Sequence, residues 1–353
     1  MKLFVFAVLL ALVQFTLATQ SQDIRIASYN TGLVPGDNAH LPDLINVIPR
    51  NLDVLALQEV WLQSDIRSIV SALNSSYPYS YYPTPDAGSK IGCKPVSAGL
   101  STVFFTCLAT HGISTVGWDT ITPCLPELRS WMSQDYDCAL CFISSISAGI
   151  SPESTGGLCF TGQGYPYTYG GSSGLLVLSK TPIKNANFTA RPSFLLRRGL
   201  LEMCVKGLYI VESHYPFEYP LPLLQELQTD FSRHILKTRP NIVLGDLNTG
   251  KNYQPAGYEL LKSYGYKSIN PDLATYCITN SSIAGSCNTE TELRQKIDHI
   301  MYDNEINCNS LEWQRRTQYE ITTFGSRAPT VSDHIGISST LKYKMHRPHI
   351  YCR

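Results

Sequence analysis

Short apolar runs alternate along the chain with longer stretches of helical periodicity. Within the runs, apolar residues are consecutive or occupy every second position, as in buried or half-buried strands. The longer stretches, such as 61–73 and 221–235, place apolar residues three and four apart, as in amphipathic helices. The strand-like runs are 24–29, 54–57, 77–82, 175–178, 200–205, 208–213, 242–244, 296–302 and 335–341. This succession of strands and helices predicts a layered α/β domain.

Polar residues follow the apolar runs where the predicted strands end. After 242–244, Gly245 interrupts the run, and Asp246 and Asn248 follow at a spacing of two, so their side chains project from one face of an extended chain. Each residue alone is also typical of an ordinary turn. Other predicted strand ends carry similar side chains, namely Asn30, Glu59, His214, Asp298, and Asp333 with His334. The recurrence predicts one site where strand ends converge.

The pattern changes at about residues 86–171, which are rich in Ser, Thr, Gly and Cys and poor in strand alternation. We interpret this segment as an inserted cap that is largely helical and stapled by disulfides among its own cysteines. The Cys138-x-x-Cys141 spacing is also compatible with a redox or zinc motif, but no second such pair accompanies it. The six cysteines are Cys93, Cys107, Cys124, Cys138, Cys141 and Cys159.

The remaining cysteines give weaker expectations. We expect Cys277 to pair with Cys287 and close a small loop, and Cys308 to pair with Cys352 and fix the C-terminal tail. Cys204 lies within a predicted strand, and we expect it to be an unpaired, buried thiol.

Residues 1–18 have the charged start, apolar middle and small-residue end of a secretory signal peptide, although an N-terminal anchor is the alternative. The prediction leaves residues 19–353 as the catalytic domain, interrupted by the cap. Eleven cysteines fit a secreted protein in an oxidising compartment. Acceptor tripeptides at Asn74, Asn187 and Asn280 allow glycosylation there.

Charge restricts the partners only weakly. The chain has 28 basic and 28 acidic residues, so no strong net field attracts nucleic acid or an anionic membrane. Nucleic acid therefore stays possible but less favoured as a substrate, and no protein partner can be inferred.

The polar residues suit one chemistry. Oxygen ligands such as Glu59 and Asn30 suit a hard cation, Mg²⁺ or another divalent ion. His334, next to a carboxylate, suits a general base. Asp246, Asn248 and His214 suit positioning of a water and a developing anionic oxygen. Together they predict metal-assisted attack of water on a phosphate ester.

In order, the motifs resemble the endonuclease/exonuclease/phosphatase superfamily, which includes deoxyribonuclease I and the neutral sphingomyelinases. The resemblance implies a four-layered α/β sandwich with two packed, mainly antiparallel sheets. It also implies that Asp298 orients His334 and that Asp333 supports the metal, whereas His299 alternates away from the site. The motifs are Ser28-Tyr-Asn30, Leu57-Gln-Glu59-Val-Trp61, Gly174-Leu-Leu-Val-Leu-Ser179, Ser213-His214, Gly245-Asp-Leu-Asn248, Ile297-Asp298-His299 and Ser332-Asp-His334.

Within the superfamily, Glu59-Val-Trp61 and the run at 173–180 look more like neutral sphingomyelinases. Deoxyribonucleases carry an Arg-Glu pair entering the equivalent strand, where this chain has Gly170-Gly-Ser-Ser173. We therefore expect a secreted phosphodiesterase of the phospholipase C type that releases phosphocholine from sphingomyelin at a membrane surface. A secreted deoxyribonuclease I-like endonuclease is the alternative, and a non-catalytic binding protein or toxin on the same scaffold is the second.

The cap contains apolar residues that allow two interpretations. They form either a surface that contacts lipid near the active site or the cap's own core. These residues are Phe104, Phe105, Trp118, Trp131, Phe142 and Ile143.

Overall fold

The computed structural model describes residues 21–33, 41–112, 122–147, 150–193, 195–217, 221–269, 274–277, 293–303, 322–324, 332, 334–344 and 349–352. The predicted signal peptide and Asp333 lie outside the described residues. In this part of the chain the strands are β1 (Ser21–Asn30), β2 (Val54–Gln58), β3 (Tyr79–Tyr81), β4 (Leu176–Ser179), β5 (Lys184–Ala190), β6 (Gly199–Val205), β7 (Leu208–Ser213), β8 (Ile242–Asp246), β9 (Tyr266–Ser268), β10 (Tyr276–Cys277), β11 (Leu293–Gln295), β12 (Asp298–Asp303), β13 (Thr322–Phe324) and β14 (Gly336–Lys344).

The helices described there are α1 (Leu41–Val47), α2 (Gln63–Leu73), α3 (Ala98–Thr110), α4 (Leu125–Gln134), α5 (Tyr136–Ser147), α6 (Pro152–Phe160), α7 (Leu221–Thr238) and α8 (Ala256–Ser263). Helices α3 to α6 lie within residues 86–171, the segment that the sequence predicts to be an inserted cap, and the other helices lie outside it. Among the described residues, no helix combines the length and the apolar character needed to cross a lipid bilayer.

Two six-stranded sheets form the centre of the domain. The first has the order β13-β14-β1-β2-β4-β3, and the second has the order β5-β6-β7-β8-β12-β9. Each contains one parallel pair, β1 with β2 and β7 with β8, and every other pairing within them is antiparallel. Both sheets are therefore mainly antiparallel, as the family resemblance implies.

The sheets pack face to face on one apolar core. Ile26 and Val54 from the first sheet and Ile210 and Leu244 from the second are buried in it. The outer face of the first sheet is covered by α1 and α2, and that of the second by α7 and α8. Burial on both faces of the inner strands, such as β2, β4 and β8, explains the continuous apolar runs in the sequence. The predicted four-layered α/β sandwich is confirmed.

The cap is helical and has its own core. Three disulfides join its six cysteines to one another, as predicted: Cys93–Cys138, Cys107–Cys124 and Cys141–Cys159. The Cys138 and Cys141 thiols are therefore used in separate structural bridges. Of the two interpretations of the apolar cap residues, the cap's own core is the correct one. Phe104, Trp131, Phe142 and Ile143 are buried there and Phe105 is half-buried, while Trp118 lies outside the described residues.

The prediction for Cys204 and Cys352 is wrong, because these two residues form a disulfide with each other. The C-terminal turn lies against the second sheet, where the Tyr351 ring stacks on Tyr209 at 4.9 Å between centroids. Asn185 also donates a hydrogen bond of 2.6 Å to the Tyr351 carbonyl. These contacts bring Cys352 beside Cys204, at a Cα–Cα distance of 5.5 Å. Cys287 and Cys308 lie outside the described residues.

We expect Cys204→Ala and Cys352→Ala each to lower the free energy of unfolding by about 2–5 kcal/mol, because the bridge closes a long loop. The double variant should be no less stable than the single variants, since one bond is lost in each case. Chemical denaturation measures these values. Peptide mapping without reductant checks the pairing, and a Cys308–Cys352 peptide would contradict it.

Gly245 lies at a position in β8 whose backbone conformation and close packing favour glycine. Its φ is +134°, and an added Cβ would lie 1.8 Å from the Ser213 carbonyl oxygen of the neighbouring strand. We expect Gly245→Ala to lower the free energy of unfolding by about 3 kcal/mol or more. Gly112→Ala is the matched control, with φ +65° and no atom within 4 Å, and should cost about 1 kcal/mol. Equal losses in urea denaturation would show that the contact with Ser213 is unimportant.

Candidate active site

The parallel pair β1–β2 delivers the first two polar residues. Asn30 pairs with Gln58 at the ends of these strands, and Glu59 follows immediately. Glu59 has a φ of +60°, a conformation that non-glycine residues adopt rarely and that is concentrated at functional sites. Its turn is fixed by a hydrogen bond of 3.0 Å from the Val60 amide to the Gly174 carbonyl. Asn30 Nδ2 lies 3.2 Å from Glu59 Oε1.

The parallel pair β7–β8 places three more polar residues in the site. His214 follows β7, Asp246 ends β8, and Asn248 lies two residues further on. The Asn248 amide N–H donates a hydrogen bond of 2.9 Å to Asp246 Oδ1, and its side-chain amide donates one of 2.9 Å to the Tyr215 carbonyl. These bonds hold Asn248 at a φ of +45°, which asparagine tolerates better than most residues.

Asp298 and His334 form the third part of the site. Asp298 begins β12 and lies directly opposite Asp246 in the antiparallel pairing of β12 with β8. His334 Nδ1 lies 2.8 Å from Asp298 Oδ2. Ser332 places the histidine, since its hydroxyl donates to the Asn30 carbonyl at 2.8 Å and accepts from the His334 amide at 3.0 Å.

The Asn30 amide joins the two sheets at one point. Asn30 Nδ2 lies 2.9 Å from Asp246 Oδ2 and 3.3 Å from His334 Nε2, in addition to its contact with Glu59. Its two protons therefore serve three acceptors. A His334 ring protonated at Nδ1 donates to Asp298 and leaves the Nε2 lone pair facing this amide, so Nε2 is the basic atom.

His214 completes the cluster from the other side. Its Nε2 lies 3.4 Å from Asp246 Oδ2 and 3.9 Å from Glu59 Oε1. The structure thus brings seven of the eight sequence-predicted residues together, and Asp333 lies outside the described residues. The seven are Asn30, Glu59, His214, Asp246, Asn248, Asp298 and His334.

Burial shifts the proton equilibria of this cluster. It raises the pKa of Asp246 to about 7, with a further contribution from the Asp298 charge, while His334 and Asn30 act in the opposite direction. Burial lowers the pKa of His214 well below its usual value, and the positive charge of Arg198 lowers it further. His214 is therefore a neutral imidazole at pH 7, able to donate one hydrogen bond.

Arg198 is a residue that the sequence interpretation missed. Its side chain is 1% exposed, and its guanidinium carbon lies 5.6 Å from the Trp61 ring centroid and 5.7 Å from that of Phe217. The His214 ring lies 6.4 Å from Trp61 and 6.5 Å from Phe217. The signal was a basic Arg197-Arg198-Gly199 step directly before an apolar strand, which also fits a solvated loop. In the fold it supplies positive charge beside His214.

His299 lies away from the site, as expected from its alternation with Asp298. Its Nε2 lies 2.8 Å from the Thr249 carbonyl, and its Nδ1 lies 3.0 Å from the Ser268 hydroxyl. Burial lowers the pKa of His299 to about 3. It is a neutral structural residue behind the sheet.

The donor set at the cluster fits a hard divalent cation. Glu59 and Asp246 present carboxylate oxygens that converge on the Asn30 amide, and Asp298 Oδ1 is buried without a hydrogen-bond partner in the described part of the chain. Ligand atoms of Asp246, Asp298 and His334 lie within 4.8 Å of one another. Because His334 Nδ1 already contacts Asp298, we interpret that pair as an acid–histidine dyad. Glu59 is then the candidate metal ligand, and Asn30 supports it as a donor, because its Nδ2 faces the cluster while its Oδ1 accepts from the Gly32 amide at 3.1 Å.

Solved structures resemble this one at low sequence identity. The crystal structure of SmcL is 14% identical, covers 91% of this chain and 99% of its own, and gives a TM-score of 0.50. Sphingomyelinase C from Streptomyces griseocarneus is 14% identical over 91% of this chain and 99% of its own, with a TM-score of 0.49. An endonuclease/exonuclease/phosphatase from Beutenbergia cavernae is 16% identical over 92% and 72%, with a TM-score of 0.49.

No curated protein sequence matches this chain. The family model described as Endonuclease/Exonuclease/phosphatase family matches residues 27–334, from the middle of β1 to His334. The match therefore includes the whole cluster and every strand of the two sheets except β14 and the first half of β1. The chain belongs to the Endonuclease/Exonuclease/phosphatase family, whose members generally hydrolyse phosphodiester bonds.

Proposed function

We propose that this protein is a secreted, Mg²⁺-dependent phosphodiesterase of the phospholipase C type, with sphingomyelin as its substrate. The observation that carries the hydrolytic part is the convergence of the His334–Asp298 dyad, Asp246 and Glu59 on the single amide of Asn30. Basic, acidic and amide groups meet there at the ends of rigid strands, which is the arrangement that hydrolysis of a phosphate ester requires.

Glu59 would hold the cation, supported by Asn30 and Asp333, and the cation would polarise the phosphoryl oxygens and offset their negative charge. Glu59 suits this role because its carboxylate is partly exposed at the mouth of the cluster. Another divalent ion of similar hardness is compatible with the same ligands.

His334 Nε2 takes the proton from the attacking water, and Asp298 stabilises the resulting imidazolium through the 2.8 Å contact at Nδ1. Asp246 and Asn248 position the water and the phosphate. The water oxygen forms a bond to phosphorus as the ester bond to the leaving alcohol breaks. For sphingomyelin the products are phosphocholine and ceramide.

His214 lies on the side of the cluster that faces Trp61 and Phe217. As a neutral ring it donates a hydrogen bond to a phosphoryl or leaving-group oxygen rather than delivering a full positive charge. Arg198 supplies that charge close by, from between the two aromatic rings. The pair stabilises the negative charge that develops during the reaction.

Two features support a lipid over a nucleic acid. Balanced charge provides no field for a polyanion. The second feature is the segment that precedes β4, where this chain has Gly170-Gly-Ser-Ser173 in place of the Arg-Glu pair of deoxyribonucleases. Disulfides in the cap and between Cys204 and Cys352 support secretion, because such bonds persist in oxidising compartments.

The first prediction on function concerns the base and the metal. We expect His334→Gln to lower kcat about 10²–10⁴-fold, because the proton acceptor is lost. Glu59→Gln should lower activity strongly and raise the Mg²⁺ concentration needed for half-maximal rate. A chelator should stop the wild type, and added Mg²⁺ should restore it. Phosphodiester hydrolysis by the purified protein measures each effect.

Matched controls exist for both substitutions. His111→Asn and Glu259→Gln change exposed side chains outside the cluster and should leave kcat unchanged. Full activity of His334→Gln, or activity that is indifferent to chelator, would rule out the assigned roles.

The second prediction concerns the substrate. We expect release of phosphocholine from sphingomyelin and weak cleavage of plasmid DNA. A nuclease contacts several phosphates, so its binding falls by roughly 0.9 log units per log of salt for each phosphate neutralised. Parallel assays of phosphocholine release and of DNA cleavage at two salt concentrations separate the two activities. Efficient, salt-sensitive DNA cleavage without phosphocholine would instead identify an endonuclease.

A further inference from the structure

One side of the cap carries almost no charge. No Asp, Glu, Lys or Arg occurs at positions 95–118, 138–152 or 154–179, which include α3, most of α5 and most of α6. Design practice places about 25–35% charged residues on a soluble surface, and charged residues make up 16% of this chain as a whole. The absence extends through three helices, so a structural core alone does not explain it.

The exposed residues of α3 and α6 show the result. Val103 is 57% exposed and Phe160 is 46% exposed. Their exposed neighbours are small or hydroxyl-bearing, so the described side chains of this surface are uncharged and combine apolar and hydroxyl groups. We call it the α3–α6 face, defined by Thr102, Val103, Thr106, Ala109 and Thr110 of α3 and Ser154, Gly157 and Phe160 of α6.

An open groove of about 500 Å³ runs between these helices. Its floor is made by the half-buried Phe105 and by Phe142, whose ring lies 5.6 Å from that of Phe160. Ala109 and the Thr102 and Thr106 side chains form its other wall. The groove is large enough for part of an acyl chain, and hydroxyl groups stand at its edge.

The base of the cap lies next to the catalytic cluster. Arg197 donates hydrogen bonds to the Thr84 and Gly171 carbonyls at 2.8 and 3.4 Å, one at each end of the insertion. Tyr169 contacts Trp61 with ring centroids 5.4 Å apart, and Trp61 neighbours His214. Contacts at its base therefore tie the cap to the cluster.

We propose that the α3–α6 face is a docking surface for a zwitterionic phospholipid membrane, with the groove receiving apolar chain segments from the bilayer. Charge complementarity selects this occupant. A phosphocholine surface has no net charge, and an uncharged apolar face meets it without desolvating any ion. An anionic bilayer or a nucleic acid would instead require basic residues, which this face lacks.

The proposal deepens the proposed function, since it concerns delivery of the same site to a lipid substrate, and its test is independent of turnover. The probe is phosphatidylcholine vesicles without sphingomyelin, in the presence of chelator. We expect the full-length protein to sediment with them. Phe160→Asp and Ala109→Asp should each lower the partition coefficient for the vesicles at least about tenfold, because a carboxylate must stay hydrated. The partition coefficient is obtained from the fraction of protein that sediments at equal lipid concentration.

Tyr264→Asp is the matched control, because Tyr264 is 51% exposed just after α8 and outside the cap. It should bind vesicles as the wild type does. Thermal melting checks that each variant is folded. If Phe160→Asp does not fold, the comparison is made with Ala109→Asp alone. Both substituted side chains are exposed, so neither removes a residue from the cap core.

Several outcomes would overturn the docking surface. They are no sedimentation of the wild type, equal sedimentation of the Asp variants, or binding limited to anionic vesicles and abolished by salt. A dimer in solution that Phe160→Asp dissociates, without vesicle binding, would assign the face to a second copy instead. Vesicle binding that depends on this face, without phosphocholine release from sphingomyelin micelles, would uphold the surface while the proposed substrate fails.

Discussion

Two buried carboxylates lie directly opposite each other across β8 and β12, and the rest of the site depends on this pair. Asp246 and Asp298 are cross-strand partners, and like charges in such positions repel. Burial raises the pKa of Asp246, and the Asp298 charge raises it further. The cluster is retained because His334 and Asn30 supply a compensating ring and amide, and because both strands are fixed by the apolar core beneath them. A bound cation would reduce the repulsion further.

The same local design is used once in each sheet. Each sheet has one parallel pair, and parallel strands end side by side at the same edge. One edge presents Asn30 and Glu59, and the other presents His214 and Asp246. Packing the sheets face to face brings these edges together, so that Asn30 of one sheet contacts Asp246 of the other. A site between two rigid sheets needs few residues from mobile loops, which keeps its geometry well defined.

The strands and the polar residues at their ends are predictable from the sequence because they depend on local periodicity, whereas the two-sheet arrangement is implied by the family resemblance. Apolar runs locate the strands, and the spacing of Asp246 and Asn248 places polar groups at strand ends. Long-range contacts are less accessible. The sequence pattern shows Cys204 only as a thiol within a strand. The packing of Tyr351 on Tyr209, which the pattern does not show, brings Cys352 next to it. From the sequence, Arg198 is indistinguishable from a loop residue, because its sequence neighbours do not indicate that Trp61 and Phe217 lie on either side of it.

The cap shows why residue type alone misleads. Its aromatic residues could equally face lipid or one another, and three disulfides hold the helices close enough that Phe104, Trp131 and Phe142 make a core. A small unit stapled in this way needs few additional interactions to stay folded, so its surface is free to vary. Charged residues are the usual choice there because they keep a protein soluble. Their absence from the α3–α6 face therefore has to be explained by what that face contacts, since the stability of the cap does not require it.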